Sequence, residues 1–465
     1  MEDHNSYSNP LVDRYASRDM VYLFSGASRY STWRRLWALL AREQQKLGLP
    51  ITNQQLADLD AHINDIDYEA VSRYEKDMRH DVMAHGKAYG DVAPSAAGII
   101  HLGATSCFIT DNADLILQKQ ACELLAGKLC ALLQSLADFC RTHRSTPCLG
   151  WTHFQPAQLT TVGKRGCLWA QDLLMDLNDL MDFVHHLRMR GIKGATGTQA
   201  SFMDLFNGNF EKVKQLDQNI ARQFGFIGTI PVTGQTYTRK IDEKMMSILS
   251  RLAGSASKFA NDIRLLMNLR EVSEPFGKKQ IGSSAMAYKR NPMRSERINS
   301  LSRFVQSQFF VLQQTAATQW LERTLDDSAC RRLAIPQAFL GIDAVLTLYF
   351  DIISELHVHE KEINSNLNRE LPFMCTEKIL MECVRRGGNR QELHEAIRQH
   401  SMVVKERMEE GQGCNDLILR LKEDPLFASV KDEIDEWIDP MRFVGAAPLQ
   451  VKDFLQLELE PQLDS

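Results

Sequence analysis

Apolar residues recur along the chain in alternating steps of three and four, the spacing that lines one face of an α-helix. The clearest stripe is Leu173, Leu177, Leu180, Val184 and Leu187. A second runs through Ile241, Met245, Ile248, Leu252, Phe259, Ile263 and Leu266, with Ser255 and Ala256 small enough to let another helix approach closely. A third holds Ile298, Leu301, Val305, Phe309 and Leu312, and a fourth holds Leu125, Leu129, Leu132, Leu136 and Phe139. Four long stripes predict a helical bundle, and no regular series of alternating strands lies between them. The predicted class is all-α, with at most a few short hairpins in connections. From Glu370 onward the pattern shortens and is broken by Gly387-Gly388, Gly411 to Gly413, Pro425 and Pro440, which marks a distinct C-terminal part.

A chain of 465 residues exceeds one compact core and predicts two or three domains. With 44% hydrophobic and 24% charged residues the balance is that of a soluble globular protein, and a net charge of −5 gives no general affinity for nucleic acid or acidic membranes. The ten cysteines form no CxxC pair and no zinc-type spacing, so they read as reduced, packed thiols, which points to the cytosol. The polar, acidic start lacks the pattern of a signal peptide, and no apolar run is expected to span a membrane.

One segment departs from packing logic: Gly282-Ser283-Ser284-Ala285-Met286-Ala287-Tyr288-Lys289-Arg290-Asn291-Pro292. Glycine and paired serines suit a mobile loop, Lys289 adds a fixed cation, and Asn291-Pro292 ends the loop before the third stripe. Such a loop can close over an anion. Met293-Arg294-Ser295-Glu296-Arg297 then adds two guanidiniums and a carboxylate in the first helical turns. The segment resembles the Gly-Ser-Ser-x-x-x-x-Lys-x-Asn-Pro signature of the fumarase/aspartase superfamily, and within it the branch that acts on succinylated purine nucleotides. The likeness continues in Arg14-Tyr15-Ala16-Ser17, Arg79-His80-Asp81-Val82-Met83-Ala84-His85, Gly103-Ala104-Thr105-Ser106, Thr152-His153-Phe154-Gln155-Pro156-Ala157-Gln158, Thr233-Gly234-Gln235-Thr236-Tyr237 and Glu322-Arg323-Thr324-Leu325-Asp326-Asp327-Ser328, in the expected order and over nearly the whole chain.

The resemblance implies a three-domain fold: an N-terminal helical domain over 1–105, a central long-helix domain over 106–358 and a C-terminal helical domain over 359–465. It also implies a homotetramer whose central helices form one shared bundle and whose active sites draw on three subunits. The implied reaction is β-elimination of fumarate from adenylosuccinate, giving AMP, and from the succinyl-carboxamide ribotide of purine synthesis. Such an elimination needs a base for a weakly acidic C–H, cations for the dianion that forms, and an acid for the leaving nitrogen. By the same resemblance Ser283 is the base, acting as an oxyanion, with Lys289 the nearest positive charge to support it. His153, expected at the start of a helix, is the general acid, and Glu296 hydrogen-bonds it. His80 contacts substrate near the reacting end.

Arg14, Tyr15, Arg79, Asp81, Thr105 and Ser106 match positions that bind the nucleotide and succinyl carboxylates. So do Gln235, Asn291, Arg297, Arg323, Ser328 and Arg332. Guanidinium forks and hydroxyls suit phosphate and carboxylate oxygens. No cofactor is expected. No metal is expected either, because His80 and His85 are five positions apart and do not share a helical face. His101, His143, His185 and His186 read as surface or satisfied core residues. The run Gly194-Ala195-Thr196-Gly197-Thr198 lacks the Gly-Lys-Ser/Thr of a phosphate loop. The chain departs from the family at Ala287, where proline is usual, and at Cys330, where asparagine is common. Two other readings stay open: a superfamily lyase acting on argininosuccinate, malate or aspartate, and a catalytically silent binding or structural homologue.

Overall fold

The computed structural model describes Asn5, residues 7–286 and residues 288–463; Ala287 lies outside them. Among the described residues five helices reach 25 residues or more: α1 (Ser106–Thr142), α2 (Val162–His186), α3 (Lys240–Asn268), α4 (Met293–Ala317) and α5 (Asp327–Ser354). The architecture is all-α. Each predicted stripe is the buried face of one of the first four: Leu125, Leu129, Leu132 and Leu136 on α1 are wholly inaccessible, as are Leu173 and Leu180 on α2.

α5 carries no stripe because it is apolar around most of its circumference. Its mean hydropathy of 1.6 over an 18-residue window makes it long and apolar enough to cross a bilayer, which corrects the expectation that no segment is. That window is 67% buried inside the protein, the environment of a core helix.

Contacts divide the protein into two compact units, and the divisions fall inside the long helices. The first comprises Met1–Cys130, Met175–Lys258 and Arg297–Leu348. In it, helix Gly26–Lys46 buries Trp33, Leu36, Trp37 and Leu40 on one face and is capped by the Ser25 hydroxyl, which accepts from the Ser28 N–H. The glycine run after Arg190 has a packing explanation. Gly197 has φ +84°, and a Cβ there would stand 1.8 Å from the Thr233 carbonyl oxygen. Arg190, fully buried, donates to the carbonyls of Gln235 (2.7 Å), Gly191 (2.9 Å) and Gly194 (2.8 Å), so it joins this run to the segment carrying Gln235.

The second unit comprises Ala131–Leu174, Phe259–Glu296 and Tyr349–Ser465. Phe259 stacks on Tyr349 with ring centres 3.7 Å apart and meets Trp169 edge-on. Strands β1 (Pro147–Thr152) and β2 (Gln155–Thr161) form an antiparallel hairpin with Thr152 opposite Gln155. β3 (Val272–Ser273), just before the signature loop, pairs with β4 (His357–Val358) after it. Beyond it come helices Glu360–Met374, Thr376–Arg385 and Arg390–Glu409 and then shorter pieces, as the broken pattern predicts.

Gly197→Ala combines a left-handed backbone with a direct clash, so it is expected to cost more than about 2 kcal/mol. Gly208→Ala, at φ +78° with nothing within 4 Å, is expected to cost only the conformational penalty, about 1 kcal/mol. Denaturant unfolding of the two variants separates the clash from the strain.

Candidate active site

The first unit holds a cavity of about 530 Å³ whose wall begins at a helix–helix corner. Helix Tyr68–Met78 ends at Arg79, which adopts a left-handed φ of +51°, and His80 then caps helix Asp81–Val92. This turn projects three side chains of different chemistry from consecutive positions. His80 Nε2 lies 3.2 Å from the Ser106 hydroxyl at the first residue of α1. Asp81 has one oxygen 3.7 Å from His80 Nδ1 and the other accepting from Arg332 on α5 at 2.9 Å. Thr105, Gln235, Arg323 and Ser328 complete the set of expected residues around the same cavity. His85 turns into the core, its ring stacked 3.9 Å from that of Tyr30. His101 accepts from the Trp37 indole N–H at 2.9 Å, a satisfied core residue.

Beneath this rim lie charged groups that sequence reasoning missed. Arg239 is 1% exposed; its guanidinium donates to Asp327 at 2.7 Å and to both oxygens of Asp111 at 3.1 Å. Arg331 donates to Asp242 at 2.7 Å and to the Tyr237 hydroxyl at 2.6 Å. Burial by itself would raise the Asp111 carboxyl, but Arg239 and Arg331 outweigh it and hold the group below its ordinary range. One signal was available. Asp111 and Gln118 sit on the helical stripe Phe108, Leu115, Cys122, Leu125, where any polar side chain must find buried partners.

Arg14, Tyr15 and Arg297 are brought together elsewhere in this unit and do not line that cavity. The Arg14 and Arg297 guanidiniums lie 5.9 and 5.5 Å from the centre of the Tyr15 ring. Cys330 is a packing residue, with its sulfur 3.2 Å from the Thr315 hydroxyl and from the Asp327 carbonyl.

The second unit carries the remaining candidates. His153 does not start a helix, contrary to expectation. It occupies, with Phe154, the two-residue turn between β1 and β2, at φ +55° and +56°. Such turns favour Asn-Gly because both residues are left-handed, so a His-Phe pair here is strained and exposed. In the signature loop the Ser283 oxygen accepts from the backbone N–H of Met286 (3.1 Å) and of Ala285 (3.4 Å). Two donors aimed at one hydroxyl oxygen stabilise negative charge on it. The spacing of the signature also has a local reason: a Cβ on Gly282 would meet the Lys289 carbonyl at 2.2 Å, and the Asn291 amide donates to the Gly282 carbonyl at 2.9 Å. Lys289 is exposed. Glu296, in the first turn of α4, lines a hollow with Asn261, Arg264 and Arg290, and among the described residues it makes no hydrogen bond to His153.

Residues 24–307 match the family profile described as lyase, and residues 372–454 match that described as adenylosuccinate lyase C-terminus. The adenylosuccinate lyase of Saccharomyces cerevisiae is 49% identical over 100% of this chain and 97% of its own length. The chain belongs to the adenylosuccinate lyase family. The Schizosaccharomyces pombe member is 48% identical over the same shares. Among solved structures, the 3-carboxy-cis,cis-muconate lactonizing enzyme of Pseudomonas putida superposes with a TM-score of 0.82 at 23% identity, covering 98% of this chain and 100% of that one. A fumarate lyase from Mesorhizobium sp. BNC1 gives 0.79 at 22% identity, over 97% and 100%. At that identity the likeness is one of fold, shared with a lactonizing enzyme and a fumarate lyase.

Two outcomes are expected. Phe154→Gly relieves a left-handed aromatic residue and should raise the melting temperature, equivalent to about 1 kcal/mol. Burial pushes His85 down to about 4, with Arg34 adding to it, and pushes His101 down to about 4, with His80 adding to it. Their folded values lie below the ordinary 6.5, so as pH falls the unfolded chain takes up these protons first. Stability is therefore held above about pH 6.5 and lost toward pH 4, and His85→Phe should flatten that decline in a series of melting curves.

Proposed function

We propose that the chain releases fumarate from adenylosuccinate, leaving AMP, and makes the same cut in succinylaminoimidazole carboxamide ribotide (SAICAR), leaving AICAR. The observation that supports this most strongly is the 49% identity to the yeast adenylosuccinate lyase along the entire chain. The geometry agrees with the chemistry. Ser283, as an alkoxide supported by two backbone N–H groups and by Lys289, removes a proton from the succinyl methylene carbon. The electron pair enters the adjacent carboxylate, whose second negative charge Lys289 offsets. Collapse of that intermediate breaks the C–N bond, its electrons pass to the purine nitrogen, and His153 supplies the proton that nitrogen needs. The sequence is redox-neutral and consumes no water, and Ser283, Lys289 and His153 between them move each proton and offset the charge that forms.

Arg79, Arg323 and Arg332 with Thr105, Ser106 and Ser328 supply the forks and hydroxyls for phosphate and carboxylate oxygens. Gln235 offers an amide, and His80, oriented by Asp81, meets the reacting end. Arg14, Tyr15 and Arg297 add a second cationic group, and Asn291 holds the loop that carries Ser283. Several copies of the chain contribute to one site in this reading, as a homotetramer built on the central domain, 106–358. Exposed apolar side chains on the long helices favour self-association: Met175 is 63% exposed, Phe310 65% and Leu333 62%. In such an assembly Glu296 of one copy is free to meet His153 of another.

The test is fumarate release from adenylosuccinate, with argininosuccinate and malate as controls. Turnover of adenylosuccinate alone is expected, with Ser283→Ala and His153→Gln each reduced by at least about 10²-fold. Mixing the two inactive variants, dissociating and reassembling them should restore part of the activity. No recovery in a verified tetramer would rule out Ser283 and His153 reaching one site from different copies, and turnover of argininosuccinate instead would overturn the substrate.

A further inference from the structure

We propose that Asp327 is a positioning residue that aims the guanidinium of Arg323 into the cavity. The proposal rests on the reading of Arg323 as an anchor for a substrate anion. Asp327 opens α5 and is 1% exposed, so its charge sits at the positive end of a helix and away from water. Both of its oxygens are engaged. Oδ2 accepts from Arg239 Nε at 2.7 Å, and Oδ1 accepts from a terminal nitrogen of Arg323 at 2.9 Å.

Behind Asp327 the order continues. Arg239 is held by both oxygens of Asp111 at 3.1 Å, and Asp111 also accepts the Tyr237 N–H at 3.0 Å, two residues from Gln235. The result is a row of alternating charge, Asp111, Arg239, Asp327, Arg323. All four border the cavity, but the first three are almost wholly inaccessible, whereas the Arg323 side chain is 25% exposed. A long arginine side chain left alone would sample many rotamers and lose that freedom when an anion arrived. Asp327 removes the freedom beforehand. It uses one of the five guanidinium N–H donors and leaves others for a phosphate or carboxylate. Because Arg239 Nε donates to the same carboxylate, Asp327 cannot swing away to follow Arg323 without breaking a buried ion pair and leaving that N–H without its acceptor. The row is a fixed mount along the cavity, and only its last member is appreciably accessible to a ligand.

A residue that acts through another must lose its effect when that other is gone. The measurement is steady-state fumarate release by the full-length, assembled enzyme carrying Asp327→Asn, Arg323→Ala or both, with adenylosuccinate as substrate. Asp327→Asn is expected to raise KM about tenfold with kcat within about twofold, and the double variant is expected to be no worse than Arg323→Ala alone. If the two KM penalties multiply, Asp327 acts independently of Arg323 and the proposal fails while Arg323 stays an anchor. If Arg323→Ala leaves KM unchanged, the anchor reading fails and takes the proposal with it. Asp327→Glu keeps the charge that Arg239 requires and shifts it by one methylene, so it serves where the asparagine variant does not fold. An unchanged KM in Asp327→Glu also overturns the proposal.

Discussion

Arg239 is buried among helices that are otherwise held together by leucine, isoleucine and phenylalanine, and a guanidinium there cannot be neutralised by losing its proton. It has to be met by carboxylates, and those available are Asp111 on α1 and Asp327 at the head of α5. Arg331 makes the same demand on Asp242 and Asp114. Removing one partner from such a pair typically costs about 3–5 kcal/mol, because the charge left behind stays dehydrated. Apolar helices can slide past one another at little cost; helices joined by this lattice cannot. The lattice thereby fixes the register of α1, of the segment from Gln235 to Arg239 and of the start of α5, the elements that carry much of the cavity wall.

Some of the left-handed backbone falls at candidate site residues. Arg79 turns the corner between two helices in a left-handed conformation, and His153 with Phe154 forms a turn that glycine and asparagine would make at lower cost. In each case a side chain that ordinary folding would exclude from that position is presented from a stiff support, a helix cap or a hairpin. The signature loop follows a different principle. It is closed on itself by Gly282 against Lys289 and Asn291, which leaves Ser283 and Lys289 presented from a small ring of backbone. A hydroxyl facing two N–H groups fits that ring, since the donors come from residues only two and three positions away.

The boundary between what was legible in the sequence and what was not follows from the range of the interactions. Period-3.6 stripes are local, and they identified α1 to α4 because each helix has one buried face and one polar face. α5 escaped because it is buried around most of its circumference, so no contrast in polarity marks its phase. The motifs named the candidate site residues by kind and order along the chain. They could not place His153, whose hairpin depends on β1 pairing with β2, and nothing local forbids the helix that was expected there.

By itself the sequence determined the all-α class, four of the five long helices, the position of the signature loop and membership of the adenylosuccinate lyase family. Each of these depends on residues near one another in the chain or on the order of short motifs. Only the tertiary structure decided that His80, Ser106, Gln235, Arg323 and Arg332 share a cavity while Arg14, Tyr15 and Arg297 form a separate cluster, and that Asp111, Arg239 and Asp327 support the cavity from beneath. A buried charge takes whatever partner the packing of distant segments brings within about 3 Å, and that distance is set by the fold and not by position along the chain.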